Sequence, residues 1–171
     1  MSIKDIELFH GAVLAKLMRS HRPVALSMIE TKPAEGFFYT ITDNRHKDDA
    51  IFYIKHRTGK RGAKGIISWH FNFAPDEIKK LRQAKQEKGG VYVALVCALE
   101  NKEAGEMQIA FFDPSRKTKS IERVLDFQNS NDNQAFTIND TSSGMLIVNQ
   151  KQAEKARIAK SALDKWVDRG T

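Results

Sequence analysis

A single cysteine is all that this 171-residue chain carries, and it sits inside the apolar run VYVALVCAL as Cys97. An intramolecular disulfide is therefore impossible, and a buried thiol behaving as a small hydrophobe is the expected state. Apolar runs are short: none reaches the roughly 18 residues that a membrane-spanning helix needs. The opening MSIKDIELFH has an acidic residue and no uninterrupted hydrophobic segment, so no secretory signal is expected and a cytoplasmic location is. Several chemical signatures are missing too. Gly59 to Gly65 lacks the Gly-Lys-Ser/Thr ending and the strand-to-helix placement of a nucleotide-binding P-loop. There is no G-x-S-x-G elbow, no kinase motif set and no repeat period. His56 and His70 lack cysteine partners and a His-x-x-x-His spacing, which counts against a zinc site.

What is present is the balance of a globular protein, with 41% hydrophobic and 29% charged residues, and a length that suits one domain with a proper core. The net charge of +7 favours polyanionic partners through counterion release. Clustering sharpens that signal. Lys55, Arg57, Lys60, Arg61 and Lys64 fall close together, interleaved with glycines that would let the backbone approach a phosphate.

The elements follow from periodicity. Residues 3–20 show the three-and-four apolar spacing of an amphipathic helix, with Ile6, Phe9, Val13, Leu14 and Leu17 on one face. Strands are expected at 24–31 and 36–43, separated by a turn containing Pro33 and Gly36. The runs AIFYIKHRT and IISWHFNF flank a basic loop, GKRGAKG, and suit a hairpin or a pair of neighbouring strands with a long, flexible basic connection. Alternation puts Ile51, Tyr53, Lys55 and Arg57 on one face and Phe52, Ile54 and His56 on the other. In the second run Ile67, Trp69, Phe71 and Phe73 form the apolar face. A lysine on the same side as Ile and Tyr calls for a partner or a ligand. Pro75, Asp76 and Glu77 open a helix, suited to the positive end of its dipole, and Gly89-Gly90 ends it. The strand, helix, strand order into VYVALVCAL predicts a crossover into a parallel pair, with that last strand in the sheet's interior. MQIAFF reads as another strand, 121–127 as a short helix, QNSNDNQ as a loop, AFTIN and GMLIVN as short strands, and 150–169 as a closing helix. The fold class expected is α/β: one domain spanning 1–171, with a core over about 3–112, a C-terminal helix over about 151–168, and a central mixed sheet of five or six strands flanked by helices.

This order, with Phe52-Tyr53-Ile54-Lys55-His56-Arg57-Thr58 set on the third strand, resembles the core of the PD-(D/E)XK, or restriction-endonuclease-like, nuclease superfamily, nearest to the Holliday-junction resolvases. Supporting the likeness are Trp69-x-Phe71-x-Phe73, the helix around Glu77-Ile78-Lys79-Lys80-Leu81, and VYVALVC. It covers about the first two-thirds of the chain. The resemblance implies acidic oxygens that bind Mg²⁺ and a lysine that orients water and stabilises charge. Lys55 matches the lysine, while Tyr53 stands where that family has the glutamate of E-x-K, and a phenol does not replace a carboxylate as an Mg²⁺ ligand at neutral pH. Glu35, Asp43 and Asp49 are the carboxylates that would form a rearranged metal site with Lys55, with Glu30 a further donor and Glu7 matching an acidic residue on the first helix. Arg57, Lys60, Arg61, Lys64 and His56 would contact phosphates. The ordinary readings are that Lys55 ends its strand and extends to solvent, and that Tyr53 is a core aromatic. The function expected is nucleic-acid binding, to DNA in the first place, either as a metal-dependent endonuclease or junction resolvase or as a relative without cleavage. Symmetric DNA would favour a homodimer. The alternative is a protein-interaction or regulatory module with a basic surface.

Overall fold

The computed structural model describes residues 4–20, 25–29, 36–42, 49–100, 107–151 and 153–169. In chain order these form α1 (Asp5–Ser20), β1 (Ala25–Ile29), β2 (Gly36–Thr42), β3 (Ala50–Arg61), β4 (Ile67–Phe73), α2 (Pro75–Lys88), β5 (Tyr92–Leu99), β6 (Gln108–Phe112), β7 (Gln134–Asp140), β8 (Met145–Gln150), β9 (Ala153–Ala159) and α3 (Ala162–Asp168), with a 3-10 turn at Ile121–Arg123. Among the described residues no helix is long and apolar enough to cross a membrane.

All nine strands belong to one hydrogen-bonded sheet, more than the five or six expected. β3 is its hinge. The first part of β3 pairs antiparallel with β2, whose other edge carries β1. On its other side β3 runs parallel to β5, from Phe52 opposite Tyr92 to Gly59 opposite Leu99, and β6 closes that edge. Past Gly59 the strand leaves this half and pairs with β4 through Lys60 and Arg61, starting a second antiparallel run of β4, β7, β8 and β9. The chain is therefore α/β in class with a mostly antiparallel sheet, and among the described strands only β3 and β5 pair in parallel. The sequence pointed to β4 and β5 because they flank α2; β4 is instead drawn off by its ladder with β7.

Alternation in β3 sends side chains into two cores. Tyr53 and Ile51 face a large cluster that fills the space between the two halves of the sheet and α2, with Trp69, Phe71, Phe73, Ile78 and Leu81. Phe52 and Ile54 face a second cluster under α1 and α3, with Phe9, Val13, Leu163 and Val167. β5 contributes to both clusters, which is why its sequence is continuously apolar. The halves are tied at Trp69, whose indole Nε1 donates to the Ala98 carbonyl at 2.7 Å.

Two predicted helices resolve differently. Within 150–169 only Ala162–Asp168 is helical, and Ala153–Ala159 is a strand on the edge of β8. Ala, Glu, Lys and Arg favour a helix locally, but burying Ala156 and Ile158 at a spacing of two against a neighbouring strand outweighs that preference. Over 121–127 one 3-10 turn forms, and Val124, Leu125 and Phe127 still bury into the core. The asparagine-rich loop is held together locally: Asp126 Oδ1 accepts from the Gln128 amide, and Gln134 bonds both the Asp126 amide and carbonyl.

Candidate functional site

Lys55 does not reach solvent. It is 2% exposed, among the largest fully buried side chains, because β3 is central and this face of it is covered by β4 and the start of α2. Its ammonium donates to Glu77 Oε1 at 2.7 Å and Oε2 at 3.0 Å, and to the Asn72 carbonyl at 2.6 Å. It also lies 4.8 Å from the centroid of the Phe73 ring, close enough for a cation–π contact. A buried ammonium is tolerated when a carboxylate and further acceptors replace water, and Glu77 supplies that carboxylate.

Glu77 is the residue that sequence reasoning missed. It serves three partners at once: Lys55, the Tyr53 hydroxyl, which donates to Oε1, and the Ala74 backbone amide, which donates to Oε2 at 2.8 Å. The last contact is half of a capping box, with the N3 glutamate reaching back to the N-cap amide. A signal was present. Glu77 stands four and seven residues before Leu81 and Ala84, on the buried stripe of α2, so an acid on the apolar face of the helix matched the lysine on the apolar face of the strand. Tyr53, fully buried, occupies the E-x-K glutamate position and points its hydroxyl at the carboxylate that α2 provides. Gly36 makes room for it: a Cβ there would fall 2.1 Å from the Tyr53 oxygen.

The other carboxylates part company with this cluster. Asp49 accepts a hydrogen bond from the Thr42 hydroxyl at 2.6 Å, just before β3; it stands six positions before Lys55 along the strand, about 20 Å of extended chain. It therefore takes no part in a site at Lys55. Glu30, Glu35 and Asp43 lie outside the described residues. Glu7, on exposed surface of α1, caps that helix through the Lys4 amide. Among the described residues no group of three or more His, Cys, Asp or Glu is placed to hold a metal. Glu77, with both oxygens engaged by protein donors, does not by itself offer Mg²⁺ the several hard oxygens it requires. The described donor set thus does not fit that ion.

The basic residues divide as well. Lys60, Arg61 and Lys64 are exposed at the hairpin formed by the end of β3, a Gly62–Ile66 turn and the start of β4. The connection is shorter than expected, because Gly59, Lys60 and Arg61 belong to the strand. Lys60 meets Glu100 at 3.3 Å, with the lysine side chain 79% exposed, a contact worth under about 1 kcal/mol. Gly59 does not serve backbone approach to a phosphate: it is buried, and a Cβ there would stand 2.6 Å from the Ser68 carbonyl and 2.7 Å from the Trp69 ring. Arg57 is half-buried.

His56 faces the other core, against Phe9 and His10, away from the hairpin's exposed cations, so it does not join a phosphate-binding surface with them. His10 is buried, its Nδ1 3.1 Å from the Tyr39 hydroxyl, and among the described residues its Nε2 has no hydrogen-bond partner. Burial, and then the neighbouring His56, lower the His10 pKa from 6.5 to about 4. His70 lies on the exposed face of β4 beside Thr137. Cys97 is buried, and burial raises its thiol pKa, as expected of an inert thiol.

No protein-family model, no curated protein and no solved structure matches this chain.

Proposed function

We propose that the protein binds nucleic acid, duplex DNA in the first place, on a restriction-endonuclease-like scaffold, with the β3–β4 hairpin gripping phosphates. The observation that carries this reading is the placement of Lys60, Arg61 and Lys64 together on an exposed hairpin, in a chain of net charge +7. The scaffold reading is supported by the order of α1, the antiparallel β1, β2 and β3, then α2, and β5 running parallel to β3. Each of the three cations that meets a phosphate should add about 0.9 to the slope of log affinity against log salt. Replacing all three with glutamine is expected to reduce that slope by between 2 and 3, on the order set by counterion release. If the native protein fails to bind DNA at low salt, the reading falls and a protein-interaction or regulatory module with a basic surface takes its place.

A second reading, metal-dependent cleavage, is favoured by one specific observation: Glu77 brings a carboxylate to the place beside Lys55 that Tyr53 leaves without one. In this reading Glu35 and Asp43 would have to supply the carboxylates that a metal requires, and Lys55 would hold and orient the Glu77 carboxylate. Plasmid and branched DNA incubated with Mg²⁺ or Mn²⁺ should be nicked by the native protein and not by a folded Glu77→Gln variant. Intact DNA in both reactions, or equal nicking in both, removes cleavage and leaves binding untouched.

A further inference from the structure

A second cationic cleft lies away from the hairpin, between the end of β6, the 113–119 turn and α3. It encloses about 150 Å³, several times the roughly 30 Å³ share of a water but below the roughly 300 Å³ at which drug-sized ligand pockets begin. That volume suits a phosphate group and part of what carries it. Its floor is apolar and aromatic, with Phe111 and Trp166; its walls carry Arg116, Lys119, Lys165 and Arg169.

The cations are presented by ordered backbone. In the turn, the Arg116 amide donates to the Asp113 carbonyl at 3.1 Å, the Lys119 amide to the Arg116 carbonyl at 2.8 Å, and the Asp113 amide to the Lys119 carbonyl at 3.1 Å. Arg169 caps the C-terminus of α3 one turn beyond Lys165, and its amide donates to the Lys165 carbonyl at 3.3 Å. Among the described lining residues the one acid, Asp113, already accepts from the Ser115 amide at 2.9 Å and hydroxyl at 2.6 Å, with Arg116 Nε at 3.7 Å. Among the described residues Lys119, Lys165 and Arg169 have no ion-pair partner. Four positive groups against one engaged carboxylate make the described lining net positive. Trp166 packs against Phe52, Tyr92 and Phe111 and also lines the cleft, so a planar group bound there would lie against its side chain.

We infer that this cleft binds a nucleoside 5′-phosphate, free or at the end of a strand, with the phosphate among the four cations and the base against Trp166. The inference is independent of the hairpin and of cleavage. Trp69 is fully buried, so ligand-dependent tryptophan fluorescence reports chiefly on Trp166. Titration at constant ionic strength with thymidine 5′-monophosphate, thymidine, inorganic phosphate, and an oligonucleotide with and without a 5′-phosphate gives the test. The monophosphate should saturate the signal, thymidine should not, and a Lys165→Gln/Arg169→Gln protein of unchanged melting temperature should bind at least tenfold more weakly. Binding of the monophosphate alone identifies a free nucleotide; a response that requires the 5′-phosphate on the oligonucleotide identifies a strand end. Equal binding of thymidine and its phosphate, inorganic phosphate binding as tightly as the nucleotide, or an unaffected double variant overturns the site. The hairpin triple variant should keep full nucleotide affinity, so loss of one binding mode is not mistaken for loss of the other.

Discussion

Lys55 and Lys60 stand five residues apart on the same strand, yet they belong to different physical regimes. Lys55 lies where β3 is covered on both faces, and its ammonium is held by Glu77, Asn72 and the Phe73 ring. Lys60 lies where β3 has left the core for the hairpin, paired weakly at the surface with Glu100. Inside, a charge is a structural commitment, because removing its partner strands the other ion away from water. Outside, the same charge costs the fold little and remains available to a polyanion. Cation count along a strand therefore says little about binding until burial sorts the cations.

The largest expected effect tests the inner half of this contrast. Lys55→Ala should destabilise the protein by about 3 to 5 kcal/mol in denaturant unfolding, since Glu77 is left buried and unpaired. The double variant Lys55→Met/Glu77→Gln should recover much of that loss, because it removes both charges together; a Lys55→Ala protein as stable as the native one would mean that the pair is not sealed from water.

His10 sharpens the contrast, as a buried base on the opposite face of the same sheet whose pKa is lowered by burial and by a second histidine. Its folded pKa of about 4 lies below the ordinary 6.5, so the unfolded chain binds the extra proton between those values. Stability from this group is complete above pH 6.5 and is lost as pH falls through about 4, a change of roughly 3 kcal/mol at about 1.4 kcal/mol for each pH unit. A His10→Leu variant should show a flatter dependence of unfolding free energy on pH over that window, and an unchanged profile would assign the acid sensitivity elsewhere.

The smallest effect belongs to the hairpin. The Lys60, Arg61 and Lys64 triple glutamine variant should hold its stability within about 0.5 kcal/mol while losing salt-sensitive DNA binding. A large loss of stability would show that these cations support the fold and would erase the distinction between the two halves of β3.

Much of the fold was legible because its strands obey strict alternation with one face buried. The apolar set Ile67, Trp69, Phe71, Phe73 is fully interior, the division of 51–57 between two faces matches the two cores, and α2 starts and stops where Pro75 and Gly89 place it. The site was legible in part. Lys55 stood out correctly as a lysine in need of a partner, but its acid came from a helix 22 residues later and not from the strands and turns where it was sought. β9 was illegible for a related reason: its residues favour a helix one by one, and only the exposed edge of β8 makes a strand of them.

Local sequence alone determined the strand faces, the bounds of α2, the buried state of Cys97 and the presence of an exposed cationic hairpin, because period, capping and turn chemistry act over a few residues. Tertiary structure decided that β5 pairs with β3, that residues 153–159 become a strand, and that Lys55 is met by Glu77. Each of those depends on groups distant in sequence competing for the same buried space, a competition settled only when the whole core closes.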